Sequence, residues 1–174
     1  MDSGVLSVVV TLVLIGFGIY ELYNGIKQLV IHHKNKQEYM ENHAKRYELF
    51  EEYKLWFAIY VLVAVASFAA ACYQMFVKND GMYAIGFWVL CACCISFALD
   101  CLVKRRAWFY EDGFFYEKKY YRYRSVINVS KTNKLRPGFN VSFSKDPSMI
   151  VTRKMALKIK EKMQEAKENK KKRK

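Results

Sequence analysis

The residues whose chemistry could support a reaction are few in this chain, and the cysteines are the most conspicuous of them. Cys91, Cys93 and Cys94 form a cluster within one apolar run. On a helix Cys91 and Cys94 share a face, as a metal or redox site requires. A thiolate inside an apolar run is costly, however, and no cationic residue lies close in sequence to lower the thiol pKa. We therefore interpret the cluster as small apolar packing residues.

The three histidines, His32, His33 and His43, do not have the spacing of a metal site. Adjacent histidines point to different sides of a helix, and no His-x-x-x-His or Glu-x-x-His pair lies nearby. The sequence also has no phosphate-binding glycine loop, no Gly-x-Ser-x-Gly nucleophile turn and no sign of paired carboxylates in a polar pocket. We expect solvated histidines, no metal, no cofactor and no enzymatic activity. A weaker hypothesis is a membrane enzyme with an unrecognised cysteine or histidine site.

Glu21 and Asp100 are the only acidic residues within the apolar runs. They can pair with Lys27 or Lys104, or they can form part of an ion path across a membrane. A charged side chain near a membrane surface can extend to water. We therefore favour the structural interpretation and retain the ion path as an alternative.

Three apolar runs supply the elements that position these groups. The second and third cover residues 55–77 and 82–103, and both are long enough to cross a bilayer as a helix. Only a short polar break separates them, which predicts a helical hairpin. The first run covers residues 4–31, and its second half carries a polar stripe at helical spacing. The sequence thus predicts a transmembrane region, residues 1–103, in which a charged helical cytoplasmic segment, residues 32–54, follows the first span.

Small residues are unusually frequent in the second run. Ala64, Ser67 and Ala71 recur at helical spacing, and small residues allow membrane helices to approach closely. We predict that they form a helix-packing face. This face is also the first place to look for a membrane protein partner or a second copy of the chain.

The charge changes sign at the end of the third run. Residues 104–174 carry 22 Lys and Arg against 7 Asp and Glu, whereas residues 1–103 carry 7 against 9. The positive-inside rule then predicts a multi-pass protein of the cell membrane, with its N-terminus outside and its C-terminus in the cytoplasm. Because the basic part is tethered to the membrane, anionic phospholipid headgroups are its expected partner and nucleic acid is not. The residues predicted to contact the membrane surface are Lys104, Arg105, Arg106, Lys170, Lys171, Lys172, Arg173 and Lys174.

Beyond residue 103 the pattern changes to short segments typical of strands. Two aromatic segments flank Asp112-Gly113, a strong hairpin signal, and residues 139–143 alternate between apolar and polar. Thr152 can cap a following helix whose apolar face contains Met155 and Ile159. We predict a small cytoplasmic α+β domain, residues 104–168, with a short antiparallel sheet closed by a C-terminal helix. The basic tail, residues 169–174, is predicted to be too charged to fold.

This arrangement resembles the pleckstrin-homology-like domains that follow transmembrane hairpins in small bacterial membrane proteins. The resemblance covers residues 107–168. It rests on the aromatic-acidic-Gly motif at 109–115 and on the segment Tyr-Arg-Tyr-Arg-Ser-Val-Ile at 121–127. It implies a pleckstrin-homology-like fold close to a membrane, and it implies no ligand, because no phosphoinositide motif matches. About sixty residues are short for a seven-stranded half-open barrel, so we expect a reduced sheet of four or five strands.

Two functions follow from these observations. The first is a non-enzymatic integral membrane protein, an accessory, scaffold or self-protection subunit whose basic cytoplasmic domain lies on the anionic inner leaflet and contacts a membrane partner. The alternative is a small oligomeric transporter or channel that uses Glu21 and Asp100.

Overall fold

Three long apolar helices and two small antiparallel sheets make up most of the chain. The computed structural model describes residues 3–42, 46–132 and 138–172. The helices are α1 (Ser3–Asn42), α2 (Lys54–Phe76), α3 (Gly81–Lys104) and α4 (Arg153–Lys172). The strands are β1 (Glu48–Glu51), β2 (Arg106–Phe109), β3 (Gly113–Tyr116), β4 (Lys119–Arg122), β5 (Val126–Lys131), β6 (Phe139–Phe143) and β7 (Met149–Val151).

The described residues form two compact units. The helical unit contains α1 as far as Lys34 together with Glu51–Arg106, and the sheet unit contains Asn35–Phe50 and the chain from Ala107 onwards. α1, α2 and α3 are each long and apolar enough to cross a membrane, which confirms that part of the prediction. α2 has 23 residues and α3 has 24. At about 1.5 Å per residue, both helices exceed the roughly 30 Å of a bilayer's hydrocarbon core.

The hairpin between α2 and α3 is closed by specific turn chemistry. Asn79 has a φ of 49°, the left-handed conformation that asparagine tolerates better than most residues. The Asp80 side chain caps α3 by accepting a hydrogen bond from the backbone N–H of Tyr83 at 3.3 Å. At the end of α2, the Tyr73 carbonyl oxygen accepts hydrogen bonds from the backbone N–H groups of Val77 and Lys78.

Small side chains pack the helical unit. Ala64, Ser67 and Ala71 are the buried residues of α2, and Ala64 clusters with Cys91 and Cys94 of α3. Ser67 satisfies its hydroxyl within its own helix by donating to the Val63 carbonyl at 2.8 Å. The predicted packing face is therefore covered by the chain itself and does not lie open to a second protein.

α1 approaches α3 through a glycine. A Cβ atom added to Gly25 would lie 2.7 Å from Ser96 Oγ and 3.2 Å from Ser96 Cα, so only glycine allows this contact. Ser96 Oγ donates a hydrogen bond to the Glu21 carbonyl oxygen at 2.8 Å. This contact joins α1 to the α2–α3 hairpin through a polar bond.

Seven strands form the sheet unit's two sheets. The first sheet has the order β1-β2-β3-β4 and the second has the order β5-β6-β7. The predicted hairpin at Asp112-Gly113 is present, with Trp108 opposite Phe115 and Phe109 opposite Phe114. The core contains Phe109, Phe114, Val141, Met155 and Ile159, all at most 2% exposed. α4 covers this core. Thr152 caps the start of α4, because its hydroxyl oxygen accepts a hydrogen bond from the Met155 N–H at 3.3 Å.

The two central strands of the first sheet, β2 and β3, are buried on both faces, because the end of α1 covers the face opposite the core. Trp108, Tyr110 and Phe115 form a second cluster there. Tyr39 of α1 stacks on Tyr120 with ring centroids 4.5 Å apart. Aromatic pairs of this kind contribute beyond the area that they bury. The two-sided burial explains why β2 and β3 are almost continuously apolar rather than alternating.

Three expectations need correction. The described chain has seven strands rather than four or five. One of the additional strands, β1, lies within residues 32–54, which were predicted to be helical: the helix continues only to Asn42, and Glu48–Glu51 is extended. β1 is extended because it lies beside β2, more than fifty residues away in sequence, and Phe50 packs edge-to-face on Phe109. α4 also continues to Lys172, into the tail predicted to be unfolded, since no Gly or Pro stops it and lysine is a good helix former.

An ion-pair cluster holds β1 to α4. The two carboxylate oxygens of Glu48 lie 2.8 Å from Lys158 Nζ and 2.9 Å from Lys162 Nζ. Hydrogen bonds from these two lysines hold the pKa of Glu48 below its usual value. The same cluster raises the pKa of both lysines, through Glu48 at Lys158 and through Glu165 and Glu48 at Lys162. A strand from before the hairpin is thus tied to the last helix of the chain.

We predict that Glu48→Gln lowers stability at neutral pH but not at acid pH. Because the folded-state pKa of Glu48 is lowered, its contribution is complete above the unfolded-state pKa and disappears as pH falls through the folded value. Glu48 is half exposed, so the difference at pH 7 should be about 1 kcal/mol or less. Thermal unfolding of the detergent-solubilised chain between pH 3 and pH 8 measures it. Glu168→Gln, at an exposed position of α4, is the control. A wild-type-minus-variant difference that is independent of pH would contradict this assignment.

Candidate membrane-interface site

The sequence-predicted basic residues Lys104, Arg105 and Arg106 lie where α3 ends, beside the start of α2. We call this region the hairpin base and define it as residues 51–56 and 100–106. Glu52 N–H donates to the Arg105 carbonyl oxygen at 3.0 Å. Arg106 Nη2 donates to Glu51 Oε1 at 2.7 Å, and both side chains are mostly buried, at 28% and 20% exposed. Two residues that lie 55 positions apart are thereby held in register.

Aromatic rings and cationic groups are paired in the hairpin base. The guanidinium carbon of Arg105 lies 5.0 Å from the ring centre of Trp56, and that of Arg106 lies 4.8 Å from the ring of Tyr53. Both distances are within the range of cation–π attraction, which is worth about 0.5–1 kcal/mol at exposed sites. Trp and Tyr are also the residues enriched at the two surfaces of a membrane. The arrangement combines a positive charge with rings suited to the polar–apolar boundary.

Glu51 and Asp100 form ion pairs with basic residues of the hairpin base. Burial alone would raise the pKa of Glu51, but hydrogen bonds from Lys54 and Arg106 hold it below its usual value. Lys54 Nζ lies 3.2 Å from Glu51 Oε2 while the lysine side chain remains 76% exposed. Lys104 pairs with Asp100 one turn earlier on α3 and is 55% exposed. Lys54 and Lys104 therefore present cationic groups to solvent while contacting a carboxylate.

Glu21 and Asp100, the two acids of the apolar runs, occupy different environments. Asp100 pairs with Lys104 along the same helix rather than across the bundle, one of the two partners considered from the sequence. Glu21 is half-buried on α1, and its backbone carbonyl oxygen accepts a hydrogen bond from the Ser96 hydroxyl. The structure brings Asp100 into the hairpin base and leaves Glu21 outside it.

Lys104, Arg105 and Arg106 are the predicted surface-contact residues whose side chains the structure describes. Helix α4 includes Lys170, Lys171 and Lys172 in its backbone, but their side chains lie outside the described set. Arg173 and Lys174 lie outside the described residues altogether. The hairpin base therefore contains the described part of the predicted membrane-contact surface.

The cysteines and histidines do not assemble into a centre. Cys91 and Cys94 are buried against Ala64. His33 is exposed, but His32 is only 5% exposed, so its predicted solvation is wrong; His43 lies outside the described residues. In the part of the chain that the structure describes, no group of three or more His, Cys, Asp or Glu side chains could hold a metal ion.

Sequence reasoning missed the Glu51–Arg106 and Arg105–Trp56 pairings. The available signal was the matching composition at the two ends of the hairpin: acids and aromatics precede the second apolar run, and three basic residues follow the third. The sequence alone does not show that these two flanks lie next to each other, because this follows from the position of β1 beside β2. Comparisons with protein-family models, with curated proteins and with solved structures found no match.

We predict that Arg106→Gln destabilises the protein more than Arg153→Gln, which replaces an exposed arginine at the start of α4. The first change removes a charged hydrogen bond to a mostly buried carboxylate, an interaction worth about 1.5–3 kcal/mol. Thermal unfolding in detergent at pH 7 measures the effect. Equal melting temperatures for the two variants would contradict the role assigned to the Glu51–Arg106 pair. A smaller effect of Arg106→Gln in a Glu51→Gln background would identify the pair itself as the cause.

Proposed function

We propose that this chain is a non-enzymatic integral membrane protein whose three helices span the cell membrane and whose sheet unit is a pleckstrin-homology-like cytoplasmic domain. The connectivity of the hairpin carries this proposal. Only two residues separate β1 from α2, and one residue separates α3 from β2. If α2 and α3 cross a bilayer, the first sheet must begin within a few residues of the lipid headgroups.

Charge asymmetry supports the orientation with the N-terminus outside and the C-terminus in the cytoplasm. The turn between α2 and α3 carries one basic residue, Lys78, whereas the hairpin base carries Lys54, Lys104, Arg105 and Arg106. Basic residues favour the cytoplasmic side of a membrane. Each Lys or Arg near the anionic inner leaflet gains about 1 kcal/mol of attraction, so on this proposal the basic sheet unit lies on that leaflet.

The strand count supports the pleckstrin-homology-like assignment. Sheets of four and three strands, with a C-terminal helix packed on their core, are what the resemblance implies for a complete half-open barrel. The sequence resemblance covered too few residues because the first strand precedes the hairpin. On this proposal the membrane hairpin is an insertion between the first two strands of the domain.

An accessory, scaffold or self-protection role is the function that fits this architecture. The described polar groups of the hairpin base are engaged in ion pairs, cation–π contacts and backbone bonds, which build a surface rather than a reaction centre. The partner is a membrane protein or a second copy of the chain. Because Ala64, Ser67 and Ala71 are covered by the chain itself, the partner contacts a different face, such as the outward apolar face of α1, where Val8, Leu12 and Ile19 are exposed.

We predict that a cysteine at position 78 is labelled from outside the cell and a cysteine at position 130 is not. Both Lys78 and Ser130 are exposed, and both variants are made after replacing the native cysteines with alanine. A membrane-impermeant maleimide applied to intact cells should modify Lys78→Cys only, and permeabilisation should then expose Ser130→Cys. Labelling of Ser130→Cys in intact cells would overturn the orientation. A chain recovered in the soluble fraction would overturn the membrane assignment.

We also predict that the protein conducts no ions in liposomes, which separates this proposal from the transporter alternative. Asp100 pairs with Lys104, so it is already neutralised on its own helix. Proton and cation flux into dye-loaded liposomes should equal that of empty liposomes. Flux that is present in the wild type, lost in Glu21→Gln or Asp100→Asn, and retained in Glu168→Gln would establish the transporter instead.

A further inference from the structure

A wholly apolar groove runs along the outside of α2 and α3. Its floor consists of the small buried residues Ala64, Cys91 and Ala98, and its two ends are marked on α2 by Phe57 and Phe68. The volume is about 480 Å³, within the range of about 300–1,000 Å³ that ligand sites occupy. Because the residues of the floor are small and those around it are large, the surface forms a groove.

The groove has the length of one leaflet. Phe57 is three residues after the start of α2, and Phe68 is eleven residues further on. At about 1.5 Å per residue this is about 16 Å, half of the roughly 30 Å hydrocarbon core. A single acyl chain needs a contact surface through one leaflet, which is the length of this groove.

Cationic groups lie at the cytoplasmic end of the groove. Trp56, which precedes Phe57, carries the Arg105 guanidinium over its ring. Lys54 and Lys104 present exposed ammonium groups in the same hairpin base, each also contacting a carboxylate, of Glu51 and Asp100 respectively. Arginine is well suited to phosphate because its planar donors match the anion's oxygens.

We infer that this groove binds one phospholipid of the cytoplasmic leaflet, with an acyl chain lying between Phe57 and Phe68 and an anionic headgroup bound at Arg105, Lys54 and Lys104. This inference rests on the proposed membrane insertion and orientation, and it adds a defined lipid site to a general attraction for the inner leaflet. The acyl chain covers the apolar floor, and the phosphodiester neutralises cationic groups that the two carboxylates only partly balance.

Native mass spectrometry of the detergent-purified full chain tests the inference. Protein is incubated with equal amounts of phosphatidylglycerol and phosphatidylcholine of identical acyl chains. We expect one retained lipid per chain, with phosphatidylglycerol favoured about tenfold. Val61→Trp fills the groove from its rim, where Val61 is 40% exposed, and should reduce retention at least tenfold. Leu62→Trp, at the neighbouring position that is 70% exposed and does not line the groove, should retain lipid as the wild type does.

Arg105→Gln tests the headgroup contact separately. It should bring the preference for phosphatidylglycerol close to parity while leaving retention of one lipid intact, and Lys78→Gln at the opposite end of the hairpin should leave the preference unchanged. Equal retention in Val61→Trp and Leu62→Trp would overturn the site, and equal binding of the two lipids by the wild type would overturn its anionic character. Lipid-free dimers abolished by Val61→Trp would show that a second copy occupies the groove.

The labelling experiment keeps the two proposals distinct. If Lys78→Cys is labelled from outside but the purified chain retains no lipid, the lipid site is wrong and the membrane assignment stands. If Ser130→Cys is labelled from outside, the orientation on which the lipid site depends is wrong.

Discussion

The hydrogen bond between Glu52 N–H and the Arg105 carbonyl joins two parts of the chain that meet different requirements. In lipid every backbone polar group must be satisfied within its own segment, and α2 and α3 meet this requirement as helices. In the sheet the same groups must be satisfied by a neighbouring strand. The Glu52–Arg105 bond lies where one pattern gives way to the other. β1 ends two residues before α2 begins, and β2 begins one residue after α3 ends, so the change from one pattern to the other takes place within two residues.

Charge placement follows from the same junction. The Glu51–Arg106 pair closes the base on its more buried side, whereas Lys54 and Lys104 remain exposed. A partly buried pair costs desolvation energy and is weak evidence for stability by itself. Its specific contribution here is register, because only one alignment of residues 51 and 106 lets the two side chains meet. The exposed lysines contribute little to folding, although each contacts a carboxylate.

The parts of this structure that could be predicted from sequence are those set by local pattern. Apolar length indicated α2 and α3, Asp112-Gly113 indicated the β2–β3 hairpin, and Thr152 indicated the start of α4. β1 could not be recognised in the same way. Its four residues, Glu-Leu-Phe-Glu, are no more typical of a strand than of a helix. They are extended because Phe50 meets Phe109 and Glu48 meets Lys158, contacts that close loops of about sixty and more than one hundred residues. Composition predicted the basic residues of the site, and Lys104 was one of the partners considered for Asp100. The Glu51–Arg106 and Arg105–Trp56 pairings were not predicted.

The use of small residues inside the helical unit limits what its outer surface can do. Gly25 and Ser96 bring α1 to α3, while Ala64 and Ser67 bring α2 to α3. These are the residues through which membrane helices ordinarily associate closely, and all are already in use within the chain. The outward-facing surfaces that remain consist largely of large apolar side chains. Such surfaces have no preference for another helix over an acyl chain unless shape or charge supplies one. Among the described grooves, the one between Phe57 and Phe68 combines an apolar lining with cationic groups in the neighbouring hairpin base, which is why we propose an anionic lipid rather than a neutral one as its ligand.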